Sequence, residues 1–234
     1  MEYKVKFSGR SLDIDINAIK NIAIKLNKSN TLTQGHYLQK FENDFSKYTK
    51  ISNCLAVSSA TAGFELIASF MKCKKGDNII IPSHTYTSSA YPFVKKGFKI
   101  KWADIDLDTR TVSIENIISN INNKTRAIIA VHLYGYGVSV KELKKICKQK
   151  NILLIEDCAQ AMGVIVNSNH VGLEADFSVF SFHSHKNIST LGEGGMIGFK
   201  NKKIRDLFIK IRHNGHSPFN FKKKISLVAS YDKR

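Results

Sequence analysis

The 234-residue chain has no apolar run approaching the roughly 18 residues that a membrane-spanning helix requires. Its opening stretch, Met1 to Arg10, mixes polar and charged side chains where a secretory leader would carry an apolar segment. A cytoplasmic protein with no membrane partner is the expectation. Cysteine is sparse: Cys54, Cys73, Cys147 and Cys158 form no C-x-x-C pair, which argues against a zinc site or a disulfide framework and for buried free thiols. Acidic residues are few, 19 against 36 Lys and Arg, giving a net charge of +17. Such an excess is a footprint of nucleic-acid binders. Here 30 of the basic residues are lysine spread along the whole chain, asparagine is also abundant, and the run Lys222-Lys223-Lys224 lacks interleaved aromatics for base stacking. The bias is compositional and no nucleic-acid partner is expected, while a positive field suits a phosphate-bearing cofactor and an anionic substrate. No tandem repeat or low-complexity tract occurs.

What is present is enough for one substantial domain, or one domain and a fragment of another. The chain is 43% hydrophobic and 10% aromatic, so a real core can form. The runs "NIIIP", "RAIIAVHL" and "ILLIED" are apolar throughout rather than alternating, as in strands buried on both faces. Strands are predicted over 54–58, 78–82, 98–104, 126–133, 152–157, 177–182 and 195–199. Helices are predicted over 61–71, 84–96, 113–121 (with Ser113 as N-cap), 138–150 and 202–213. This alternation implies an α/β fold with a mostly parallel sheet of about seven strands between helices. The crevice beyond the strand C-termini is then the expected binding site. Residues 1–53 read as a helical lead-in with a helix over 37–48. Residues beyond about Asn214 carry turn residues, a basic run and one short apolar patch.

Unusual polar groups collect at the strand ends. "ILLIED" closes on Glu156 and Asp157, with Gln160 shortly after. A carboxylate there is costly unless paired; it is either functional or a salt-bridged or capping residue. "DFSVFSF" runs into "HSHKN" and delivers Ser181 and Lys186 to the same end, where a lone lysine would ordinarily be a solvated loop residue. Ser59-Ala60-Thr61 lies between a strand and a helix, where free amides can cradle a phosphate. His183, His185, His213 and His216 could suggest a metal, but no carboxylate pattern completes a site and none is expected. Tyr91, Phe93 and Phe98 read as core, and Lys141, Lys144, Lys145 and Lys148 as a solvated helix face. Gly192 to Gly195, "GEGG", reads equally as a ligand contact or as a turn into the next strand.

Taken together and in order, "VSSATAGFELI", "IPSHTYTSSA", "IIAVHLYG", "LLIEDCAQAMG" and "FSVFSFHSHKNISTLGEGGM" resemble the pyridoxal-phosphate-dependent sugar aminotransferases of the DegT/DnrJ/EryC1/StrS family, from about Thr33 to His216. The resemblance implies the large domain of a fold-type I enzyme. It implies that Lys186 forms the Schiff base with pyridoxal 5′-phosphate and afterwards carries the proton between substrate and cofactor carbons. Asp157 would pair with the pyridine nitrogen, Gln160 with the phenolic oxygen, and Tyr86 would stack on the ring. The Ala60 and Thr61 amides, with the Ser181 hydroxyl, would receive the phosphate. Ala60 stands where the family commonly has glycine.

The implied reaction is transfer of an amino group from glutamate (or glutamine) to a keto sugar on a nucleoside diphosphate, feeding O-antigen or other surface polysaccharide (lipopolysaccharide) assembly, in a homodimer. Some relatives are sugar dehydratases with histidine in place of the lysine; Lys186 favours aminotransfer. Family members continue beyond residue 234 into a smaller C-terminal domain. Residues 1–213 are therefore read as the cofactor-binding large domain with its lead-in, and 214–234 as a divergent remnant of a largely missing domain. An inactive or split-gene fragment with a binding role stands as the alternative.

Overall fold

A computed structural model of the chain describes residues 14–28 and 33–215. The expected tail, apart from Asn214 and Gly215, lies outside them with His216 and the Lys222–Lys224 run. The chain divides into two compact units, Met1–Lys40 and Phe41–Arg234. In the first, helix α1 (Ile16–Asn27) starts where the Asp15 carboxylate accepts the Ala18 amide at 2.9 Å, as an N-cap should. Helix α2 (His36–Thr49) begins in this unit and continues into the second.

Among the described residues the second unit holds nine strands, seven of them in one sheet. In chain order they and their helices are β1 (Asn53–Val57), α3 (Ala60–Phe70), β2 (Asn78–Pro82), α4 (Tyr91–Lys95), β3 (Lys99–Ala103), α5 (Ile114–Asn120), β4 (Thr125–Val131), α6 (Lys141–Lys150), β5 (Leu153–Asp157), the short hairpin β6 (Ile165–Val166) and β7 (Asn169–His170), β8 (Phe177–Ser181), β9 (Gly195–Phe199) and α7 (Lys202–Arg212). The sheet order is β1-β9-β8-β5-β4-β2-β3. Strands β3, β2, β4, β5 and β8 run parallel, and β9 runs antiparallel to both β8 and β1. Strands β2, β8 and β9 are buried at every position and β4 and β5 at nearly every one, which is why their sequences do not alternate. One core packs Phe64, Ile67, Ile79, Phe93 and Phe208 on one sheet face; another packs Ile80, Ile128, Leu143, Cys147 and Leu154 on the other. The expected α/β sandwich with seven strands is what forms.

Two helices differ from expectation. No helix fills 84–96: a 3-10 turn at Thr87–Ser89 precedes the five-residue α4. Thr85, Thr87, Ser88 and Ser89 have hydroxyls that compete for local bonds, and Pro92 can only open a helix. Helix α6 starts at Lys141 rather than Val138, because the Val138 amide donates to His132 Nδ1 at 3.0 Å. Ser113 caps α5 as expected, accepting the Asn116 amide. All four cysteines are free thiols; Cys54, Cys147 and Cys158 are buried and Cys73 is half-buried.

Candidate active site

Consecutive strand residues point to opposite faces, so the adjacent carboxylates at the end of β5 serve different purposes. Glu156 turns inward. Its Oε2 meets His132 Nε2 at 2.9 Å and the Gly172 amide at 2.9 Å, while Oε1 accepts the Ala175 amide at 2.9 Å. Burial pushes this carboxyl up, but the His132 bond and the two amides outweigh it and hold the group below the usual range. His132 is fully buried, and its Nδ1 accepts from Val138, so its proton sits on Nε2 facing Glu156. Glu156 is thus a structural carboxylate that ties β5 to β4 and to the Gly172–Ala175 loop.

Asp157 turns the other way, into a cleft of about 400 Å³ beyond the strand ends. Burial raises its pKa, opposed by the bond from Ser89 and the Ala159 amide and by the nearby His132 and Lys186. Its Oδ1 accepts the Ala159 amide at 3.0 Å and its Oδ2 the Ser89 hydroxyl at 2.6 Å. Gln160 lies on the same wall. Its Oε1 accepts the Tyr134 amide at 3.2 Å, which assigns the Gln160 amide nitrogen as the donor left for the cleft.

Strand β8 ends at Ser181, and the following loop carries Lys186 back over the cleft. Four backbone bonds shape that loop: Phe182 to Gly194, Ser184 to Gly192, Thr190 to Phe182, and Lys186 to His183. His183 Nδ1 accepts the His185 amide, so Nε2 carries the proton toward Glu193, 3.4 Å away. The opposite wall is the start of α3. Ser59 caps it by accepting the Ala62 amide, leaving the Ala60 and Thr61 amides ahead of the first helical bonds. A Cβ on Gly195 would lie 2.6 Å from the Ser59 carbonyl carbon and 2.7 Å from the Ala60 nitrogen. Only glycine lets β9 pass beneath this helix start. The "GEGG" segment is therefore a turn into a strand at Gly195, while Glu193 reaches the cleft. Tyr86, 71% exposed, stands beside the cleft as an unburied aromatic wall.

The cleft thus gathers Ala60, Thr61, Tyr86, Asp157, Gln160, Ser181 and Lys186, all of the residues expected from sequence. It also holds Thr85, Ser88 and His132, to which the sequence reading gave no role, His183 and His185, weighed there as metal ligands, and Glu193 of the segment left open as a ligand contact. A signal existed for His132, a lone polar residue closing the apolar run "RAIIAVHL"; none marked Thr85 or Ser89 apart from neighbouring residues. The set combines a buried carboxylate, a lysine, an aromatic wall and a helix N-terminus. Chemically it can receive a flat cationic ring at one end and an anion at the other.

The family model for the DegT/DnrJ/EryC1/StrS aminotransferases matches residues 13–234. The chain is 36% identical over 183 residues to a GDP-perosamine synthase of Vibrio cholerae, a match covering 78% of this chain and 50% of that one. It is 31% identical over 210 residues to a GDP-4-keto-6-deoxy-D-mannose 3-dehydratase of Escherichia coli O55:H7, covering 87% and 53%. Among solved structures, a Streptococcus pneumoniae protein described as a sugar aminotransferase, in its PLP form, superposes with a TM-score of 0.85 at 26% identity, covering 97% of this chain and 61% of that one. The chain spans about half the length of the curated relatives it matches.

Proposed function

This chain belongs to the DegT/DnrJ/EryC1/StrS aminotransferase family, and from that premise we propose that it binds pyridoxal 5′-phosphate at Lys186 and transfers an amino group from glutamate to a nucleotide-linked keto sugar. One observation carries the reading: residues scattered from 60 to 186 meet in a single cleft with Asp157 buried at its base and Lys186 above. The donor set fits the cofactor. The uncapped Ala60 and Thr61 amides and the Ser181 hydroxyl suit its phosphate, and Asp157 suits its ring nitrogen. Tyr86 offers a face for stacking and the Gln160 amide a donor for the phenolic oxygen.

When bound, the cofactor supplies an electron sink for charge released at the substrate carbon. The chain's own residues do the rest. Asp157, as a carboxylate, would keep a proton on the ring nitrogen. Lys186 Nζ would hold the cofactor and would serve as the base and acid that takes and returns the proton at the donor's α-carbon. Tyr86 and Gln160 would hold the cofactor against the cleft wall, within reach of Lys186.

Under this reading residues 1–213 form the cofactor-binding large domain, the protein is cytoplasmic, and its product enters surface polysaccharide. It works as a homodimer; a solution mass equal to one chain would refute that assembly. The dehydratase reading draws on the 31% relative and on His185 beside Lys186 in the cleft. The lysine itself favours aminotransfer. Visible absorption of the protein with pyridoxal phosphate, with and without glutamate, tests the proposal. A band absent from Lys186→Ala and bleached by glutamate is expected. A band indifferent to glutamate supports a cofactor-binding role without amino transfer instead, and absence of any band rejects the reading.

A further inference from the structure

Asp157 must stay ionised in a place where burial favours its protonated form, and the turn after β2 supplies the means. Ser89 is fully buried, and its hydroxyl lies 2.6 Å from Asp157 Oδ2. Thr85 Oγ1 lies 2.9 Å from Ser89 Oγ. Either hydroxyl could donate in that second contact, but the first removes the choice. A hydroxyl has one proton. A carboxylate can only accept, so Ser89 gives its proton to Asp157 and must receive from Thr85. The 3-10 turn at Thr87–Ser89, closed by the Ser89 amide on the Tyr86 carbonyl at 3.0 Å, makes this possible. It leaves Tyr86 exposed beside the cleft while tucking Ser89 under Asp157.

We propose that Thr85 and Ser89 are positioning residues: a one-way hydroxyl chain that donates into Asp157 Oδ2 and keeps the carboxylate ionised and oriented toward the ring nitrogen of the cofactor. The inference rests on the cofactor reading for its purpose, though the chain of bonds itself does not need the cofactor. Other groups face Asp157 as well. His132 at the end of β4 and Lys186 after β8 both favour its charge, while Glu156 and Cys158 flank it in sequence. The Asp157 carboxylate accepts the Ser89 hydroxyl on Oδ2 and the Ala159 amide on Oδ1.

Two readouts test the chain of bonds. The first uses cofactor-free protein: a ¹³C titration of the Asp157 carboxyl, assigned with Asp157→Asn. Ser89→Ala should move the titration to higher pH, Thr85→Val should move it the same way by less, and Thr85→Ser should restore it. The second uses pyridoxal phosphate labelled with ¹⁵N in its ring. The bound nitrogen should shift from its protonated toward its neutral position in Ser89→Ala, and affinity should fall about tenfold, the scale of one bond to a charged group. If Ser89→Ala does not fold, the Thr85→Val and Thr85→Ser pair decides. A carboxyl titration unmoved by Ser89→Ala, or by Thr85→Val where that pair decides, overturns the proposal. Failure of the unaltered protein to take up pyridoxal phosphate overturns the cofactor reading, and the cofactor-free titration still judges the hydroxyl chain.

Discussion

Glu156 and Asp157 are neighbours with opposite relations to stability. Glu156 is held below its ordinary value of 4.5 by His132, Gly172 and Ala175. A depressed carboxyl stabilises the fold at pH above its unfolded value, and that contribution is lost as pH falls through the lower folded value. Glu156→Gln replaces an acceptor by a donor facing an amide or the His132 proton. It should cost about 3 kcal/mol at neutral pH and flatten the acid limb of the unfolding curve, which urea titrations from pH 3 to 7 would reveal. Asp157 is raised above 3.8 by burial. Its contribution is present below that value and is lost as pH rises through the folded one. In cofactor-free protein at neutral pH, Asp157→Asn should therefore melt no lower than the unaltered chain. Its amide can donate to Ser89 and its oxygen can still accept from Ala159. The same variant should lose cofactor retention. A clear drop in the cofactor-free melting temperature would contradict the assignment of Asp157 as a site whose charge opposes folding.

At the level of elements, the strands were the most legible part of the sequence. Asn78–Pro82 and Gly195–Phe199 fall where the apolar runs end, because strands buried on both faces leave no polar residue inside. Helix ends were less legible where a long-range bond decides them, as when His132 takes the Val138 amide and delays α6. The paired segments Ile165–Val166 and Asn169–His170 went unread, since two residues carry no period. The site followed the same division. Asp157, Lys186 and their companions were reachable through resemblance, whereas Ser89 acts through a contact 68 positions away in sequence. At Gly195 the meeting of β9 with the start of α3 explains a glycine that sequence left ambiguous. Gly195→Ala must push Ser59 and Ala60 backbone aside, at a cost of about 1–3 kcal/mol. Cofactor affinity should fall more than stability does, read by thermal melting with and without pyridoxal phosphate.

For the whole molecule, the four free thiols form a built-in gauge of opening. Burial drives Cys54 and Cys147 up to about 12 and Cys158 well above its ordinary value. Each is therefore inert until its surroundings open. Cys73, near the end of α3, is half-buried. A thiol-reactive dye should label Cys73 in an early phase and the other three only at the rate set by local or global opening. Those three sit in different places: Cys54 on β1, Cys147 on α6 and Cys158 just past β5. Their labelling rates read separate parts of the fold without any introduced probe. Because Cys158 adjoins Asp157, slower labelling of that one thiol on adding pyridoxal phosphate would report occupancy of the cleft as protection rather than as colour.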